Sequence, residues 1–306
     1  MNILFYTASA DGAQWLAALS QSLPNAQFHG WPDTDVAPDY AVVWKPPPEL
    51  IAKLAGARAV FNLGAGVDAI AGASTWPPGV PLVRLEDAGM AEQMVEYAAY
   101  AVLRCYREFA AYERAQRAAS WAPRTRLDKR AFGVGILGLG VLGSRVADAL
   151  RALGFPVTGY ARRPKVLADV RSFAGDQLSE FLATCRVLIC MLPLTPATQG
   201  LLDREAFARL PRGAYVINVA RGGIIVERDL LAAIGSGHLA GAMLDVFEEE
   251  PLPAQHAFWH HPQITLTPHV AAVTSIGESV AQIADKIRRI EAGLPVGGVV
   301  DAQHAY

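Results

Sequence analysis

The sequence lacks the features that would place a chain in a membrane, on nucleic acid or outside the cell. It holds no run of about 18 uninterrupted apolar residues, which excludes a transmembrane helix. The opening MNILFYTASADG has no basic stretch followed by a long apolar one, so no secretory leader is read there and the cytoplasm is the expected location. Cysteine is scarce. Cys105, Cys185 and Cys190 lie in apolar segments, without the CxxC spacing of a zinc site or the even count of a disulfide framework. Reduced, buried thiols and no metal are expected; the adjacent His260 and His261 cannot share a helix face and are read as loop histidines. Charge of one sign is also missing: 27 Lys and Arg stand against 29 Asp and Glu, well mixed, for a net charge of -2. That leaves no electrostatic footprint for nucleic acid or an anionic membrane, so the expected partners are small molecules or further copies of the chain.

What is present is a 306-residue chain, 52% apolar and 18% charged, able to bury a large core. Short runs rich in Val, Ile and Leu alternate with helical-period segments, the pattern of an α/β fold with parallel sheets, and it occurs twice. The first set is NILFYT (2–7), YAVVW (40–44), RAVFN (58–62) and PLVRL (81–85). The second is GVGIL (133–137), PVTGY (156–160), VLICML (187–192), AYVINV (214–219), AMLDV (242–246) and ITLT (264–267). Between them, Met90, Met94, Tyr97, Ala101, Cys105, Phe109 and Tyr112 repeat at steps of three or four. This predicts a single helix over 89–119, roughly 45 Å long at about 1.5 Å per residue, joining two lobes. Near the end, Ile276, Val280, Ile283, Ile287 and Ile290 form another apolar face, closed by Gly293 as a C-cap. Too short to be a domain, that segment is expected to return to the N-terminal lobe. The division expected is 1–97 plus 274–306 against 98–273.

GVGILGLGVLGSRVADAL places Gly138, Gly140 and Gly143 in GxGxxG spacing, with Val141 and Leu142 between, after a buried strand and before an amphipathic helix. Such a turn brings backbone and helix N–H groups to a dinucleotide pyrophosphate. An acid closing the next strand would bind the ribose of NAD; here the segment reads Tyr160, Ala161, Arg162, Arg163, with Lys165 close behind. Guanidinium groups suit a phosphate dianion, so NADP(H) is preferred, with Arg162 chiefly responsible and Arg163 or Lys165 assisting; NAD(H) is the alternative cofactor.

Three later segments, INVARGG (217–223), LDVFEEEPLP (244–253) and TLTPHVA (265–271), end predicted strands, where open α/β sheets place active sites. Arg221, Glu250 and His269 there supply a fixed cation, a carboxylate and a group that ordinarily titrates near neutrality. The trio suits reduction of an oxo acid: arginine holds a carboxylate and polarises the carbonyl, histidine donates a proton, and the carboxylate orients the histidine.

With LGAGVD (63–68), the glycine loop, LPLTPATQGL (192–201), NVARGG, LDVFEEEPLP and TPHVAA in this order, the chain resembles the D-2-hydroxyacid dehydrogenases, and among them the glyoxylate/hydroxypyruvate reductase A branch. The resemblance implies two Rossmann-like lobes, one flavodoxin-like and one dinucleotide-binding, with a cleft between them, and a homodimer formed through the cofactor lobe. It implies the catalytic roles of Arg221, Glu250 and His269, substrate binding by backbone at Ala65 and Gly66, and cofactor-lining positions at Leu192, Pro193, Thr198, Val219, Ala220 and Asp245. Trp44, ahead of Pro46-Pro47-Pro48, is read by the same resemblance as closing a small substrate pocket, with core packing as the alternative. The related branch carries a serine just before the arginine matching Arg162; Ala161 stands here, and a phosphate hydroxyl is lost. The expected reaction is NADPH-dependent reduction of glyoxylate or hydroxypyruvate to the D-2-hydroxy acid. The alternatives are an NADH-linked enzyme for a larger 2-oxo acid and a non-catalytic nucleotide-sensing protein.

Overall fold

The apolar run at the start of the chain forms the strand β1 (Asn2–Thr7), and a computed structural model, describing residues 1–68, 70 and 75–300, follows it into two compact units. Residues 1–90 with 274–306 make one, and 91–273 the other. The boundary at 90/91 falls at the start of a helix, whereas the sequence reading put it at 97/98, inside that helix.

In the first unit β1 leads to α1 (Gly12–Ser22), β2 (Gln27–Gly30), β3 (Tyr40–Trp44), α2 (Pro48–Ile51), β4 (Ala59–Asn62) and β5 (Leu82–Val83). β1, β3 and β4 pair in parallel, and their near-continuous apolar sequences reflect burial on both faces. β2 lies beyond β1 and β5 beyond β4, which is the flavodoxin-like strand order. On one face lie Leu50, Ile51, Ile70 and Trp76.

The second unit opens on α3 (Met90–Tyr106) and α4 (Phe109–Arg117). The single helix expected over 89–119 is therefore two. The break falls at Glu108, which takes left-handed backbone (φ 56°), while its carboxylate pairs with Arg124 at 2.8 Å and Arg104 of α3 grips Glu113 of α4 across the break. α4 buries none of its side chains, and Phe109, Tyr112 and the following Trp121 are exposed.

Next come β6 (Val134–Leu137), α5 (Val141–Ala152), β7 (Val157–Ala161), β8 (Arg171–Ala174), α6 (Leu178–Ala183), β9 (Val187–Cys190), α7 (Arg204–Arg209), β10 (Ala214–Asn218), α8 (Glu227–Gly235), β11 (Leu239–Leu244) and β12 (Ile264–Leu266). They form a seven-stranded parallel sheet in the order β12-β11-β10-β9-β6-β7-β8. Ala98, Val102 and Tyr106 of α3 and Val146 and Leu150 of α5 cover one face, where Tyr106, Phe132 and Phe155 pack edge to face; side chains of α6, α7 and α8 cover the other. Strand order reverses between β6 and β9, so a crevice opens at their carboxyl ends.

The chain then returns to the first unit through α9 (Ile276–Glu291) and β13 (Val299–Val300). α9 packs along α1, burying Val280, Ile283 and Ile287, at about 1.5–3 kcal/mol each relative to exposure. Gly293 follows it with φ +71° and donates its N–H to Ile290. β13 adds antiparallel to β5. Among the described residues no helix is long and apolar enough to cross a membrane.

Candidate active site

The glycine loop sits at the reversal point of the second sheet. Gly138 (φ +118°) presses against the Met191 carbonyl at the end of β9, a separation that leaves no room for a Cβ, and Gly143 lies as close to the Gly138 carbonyl. α5 can therefore begin directly at the turn. A Cβ at Gly140 would meet nothing within 4 Å, so the helix N-terminus is open where a pyrophosphate would approach. The residues fit a dinucleotide. Leu192 and Pro193 follow Met191 on the adjoining strand end. Gly138 and Leu139 both donate N–H to Tyr160 O, at 2.9 and 3.3 Å, so the end of β7 lies beside the loop and is followed at once by Arg162 and Arg163, both exposed. Lys165 is exposed as well. Thr198 uses its hydroxyl within its own loop, donating to Pro193 O (2.7 Å) and accepting the Thr195 N–H (2.8 Å).

The chemical residues are carried by the ends of β10, β11 and β12. Asn218 closes β10, buried, and its amide folds the next turn onto itself: Nδ2 donates to Arg221 O (3.0 Å) and Oδ1 accepts the Ala220 N–H (3.1 Å). Val219 and Ala220 are buried by that turn, and Arg221 Nη1 donates to Ala220 O at 2.6 Å. Gly222 then approaches the Phe247 backbone so closely that any side chain would collide, which seats the Arg221 turn against the loop leading to Glu250. One Glu250 oxygen accepts the Phe247 N–H (3.0 Å) and the other meets His269 Nδ1 at 2.7 Å. The same acidic loop is braced from α8, where Glu227 pairs with His256 at 3.0 Å.

His269 adopts left-handed backbone (φ 54°), held by its N–H to Asp245 O at 2.8 Å. Asp245 follows β11 directly and is buried; its carboxylate accepts Thr267 Oγ1 (2.6 Å), Val270 N (2.8 Å) and Ala271 N (2.8 Å). That side chain is thus engaged in shaping the histidine loop. Because Thr267 donates to Asp245, the phenol of Tyr97 must donate to Thr267 Oγ1 (2.6 Å). Burial, with the charge of Asp245 nearby, pushes the Tyr97 phenol up to about 12.

Within the first unit, the Trp44 ring presses against Gly64, its Cζ3 where a Cβ would be, next to the half-exposed Ala65 and Gly66. Asn62, Asn218, Tyr97 and Thr267 were not singled out from sequence. For the two asparagines the available signal is one polar side chain closing an otherwise apolar strand, in FNLGAG and INVARGG alike.

Residues 99–271 match the family described as D-isomer specific 2-hydroxyacid dehydrogenase, NAD binding domain. The chain is a D-isomer specific 2-hydroxyacid dehydrogenase family member. Along its whole length it is 49% identical to the whole of glyoxylate/hydroxypyruvate reductase A of Serratia proteamaculans. Among solved structures, a family member from Xanthobacter autotrophicus in complex with NADPH and MES superposes with a TM-score of 0.93 at 41% identity, covering 100% of this chain and 99% of that one. An NADPH-dependent glyoxylate/hydroxypyruvate reductase from Sinorhizobium meliloti, in complex with NADP and sulfate, does so with a TM-score of 0.93 at 35% identity and the same coverage. The two-lobed α/β fold with parallel sheets is that of the family.

Proposed function

We propose that this dehydrogenase reduces short 2-oxo acids, glyoxylate and hydroxypyruvate, to D-2-hydroxy acids with NADPH. The observation that carries the reading is the 2.7 Å pairing of His269 Nδ1 with Glu250, which leaves Nε2 as the ring nitrogen for proton transfer. NADPH, when bound, supplies the hydride. His269 protonates the oxygen that becomes the hydroxyl, Glu250 fixes the ring, and Arg221 holds the substrate carboxylate and polarises the keto oxygen. In the first unit, backbone at Ala65 and Gly66, beside Trp44, is assigned to the substrate. Gly138, Gly140, Val141, Leu142 and Gly143 are assigned to the pyrophosphate, and Arg162, with Arg163 or Lys165, to the 2′-phosphate.

Support for NADPH and for these substrates comes from the relatives: the Sinorhizobium protein is described as an NADPH-dependent glyoxylate/hydroxypyruvate reductase, and the Serratia protein bears the same substrates in its name. Exposed Phe109, Tyr112 and Trp121 support a homodimer through the second unit, which light scattering on an eluting peak would test. The deciding assay pairs NADPH and NADH with glyoxylate, hydroxypyruvate, pyruvate and phenylpyruvate. Highest kcat/KM with NADPH and the two smaller oxygenated acids is expected; preference for NADH or phenylpyruvate would overturn the reading.

A further inference from the structure

The first unit carries one more fully buried polar side chain at a strand end. Asn62 is the last residue of β4, pairs in register with Val43 of β3 and is 1% exposed. Its Nδ2 donates to two backbone carbonyls, Gly64 O at 2.9 Å and Gly66 O at 2.7 Å. Two carbonyls facing one end of the side chain require the amino end there, so the orientation of the amide is set by its partners. Burial of an amide without partners would be costly, and here the partners are the loop itself.

The consequence follows from peptide geometry. In a trans peptide the carbonyl and the next residue's N–H point in opposite directions. Drawing Gly64 O inward therefore turns the Ala65 N–H away from Asn62, and drawing Gly66 O inward does the same for the peptide joining it to Val67. The same Gly64 oxygen also accepts the Leu85 N–H at 3.4 Å, which holds that carbonyl a second time. Ala65 and Gly66 remain half-exposed, with the Trp44 ring against Gly64 beside them.

We propose that Asn62 is a positioning residue for substrate: its amide holds the Gly64 and Gly66 carbonyls inward and thereby turns the Ala65 N–H outward, preorganised for a carboxylate. The proposal rests on the assignment of Ala65 and Gly66 to the substrate carboxylate. Asn62 itself touches neither substrate nor cofactor. Preorganised N–H donors bind an anion without first having to reorient, so loosening the loop costs anion affinity more than it costs the chemical step.

The test compares Asn62→Leu and Asn62→Asp with the wild type in inhibition by oxalate, a planar dicarboxylate with no reducible keto group. KM for glyoxylate, kcat, NADPH affinity and melting temperature are measured beside it. Expected is a rise of about tenfold or more in the oxalate inhibition constant and in KM, with kcat within about threefold and NADPH affinity unchanged. If Asn62→Leu does not fold, Asn62→Asp, which keeps the volume but presents a carboxylate to two carbonyls, decides by the same readings. Unchanged oxalate inhibition, or equal losses in oxalate binding, kcat and NADPH binding, would overturn the proposal. Ala65→Pro separates the two layers because it deletes one peptide N–H. Weaker oxalate binding there with no effect at Asn62 means that the loop binds the carboxylate without help from Asn62. No effect in either means that the assignment of the loop itself is wrong.

Discussion

Glu250 meets His269 Nδ1 at 2.7 Å with one carboxylate oxygen while its other oxygen accepts the Phe247 N–H at 3.0 Å. Both oxygens are engaged, so the carboxylate cannot swing away from the ring without breaking a backbone bond. His269→Ala is expected to lower kcat by roughly 10²–10⁴-fold while the NADPH dissociation constant changes less than about threefold. Glu250→Gln, which keeps the shape and loses the charge, is expected to cost about ten- to a hundredfold in kcat. Steady-state kinetics with fluorescence titration of NADPH check both, and normal turnover in His269→Ala would remove the histidine from the mechanism.

Arg162 is exposed directly after β7, whose end lies beside the glycine loop, and is the residue proposed for the 2′-phosphate. Arg162→Ala is expected to reduce the ratio of kcat/KM with NADPH to that with NADH by roughly ten- to a hundredfold, the worth of charge-assisted bonds to a phosphate. An unchanged ratio would transfer the phosphate to other residues.

Asp245 is buried and accepts three donors from the loop that carries His269. Asp245→Asn presents an amino group to at least one of those donors, so a loss of about 2–3 kcal/mol in urea unfolding is expected, with a fall in kcat larger than the change in NADPH affinity. Retained stability would show that the loop repacks around the amide.

Tyr97 titrates above its ordinary range, moved from 10.0 to about 12 mainly by burial. A folded-state value above the unfolded one means that the neutral phenol favours the fold below pH 10, and that this contribution is lost as pH rises toward about 12. Chemical denaturation of the wild type and Tyr97→Phe should therefore differ by a constant amount up to about pH 10, and the gap should narrow above it. A pH-independent difference would contradict the burial of the hydroxyl.

Cys185 and Cys190 are buried and Cys105 half-buried, and desolvation pushes all three thiols up to about 12. Alkylation at pH 8 should be slow in the native protein and rapid once it is unfolded. Fast labelling of the folded chain at Cys185 or Cys190 would show opening of the second sheet.

The central strands could be read from sequence because burial on both faces demands uninterrupted apolar runs, as in YAVVW and VLIC. β2, β8 and β13 were not read, and each is a sheet edge, where one side needs no apolar partner. The break at Glu108 was equally hidden: no Gly or Pro marks it, and the apolar spacing runs through it from Met90 to Tyr112. Ordered motifs pointed to Glu250 and His269, which the fold does bring together. The clamps at Asn62 and Asn218 escaped notice because a buried amide acts through backbone carbonyls, and its spacing from them carries no side-chain pattern.

The return of residues 274–300 to the first unit has a consequence for biosynthesis. A ribosome delivers β1 through β5 early, but α1 lacks its neighbour α9, and β5 its antiparallel partner, until residues 276–300 have been made. The second unit, continuous in sequence, can finish its sheet while the last segment is still being translated. The unit begun first is completed last.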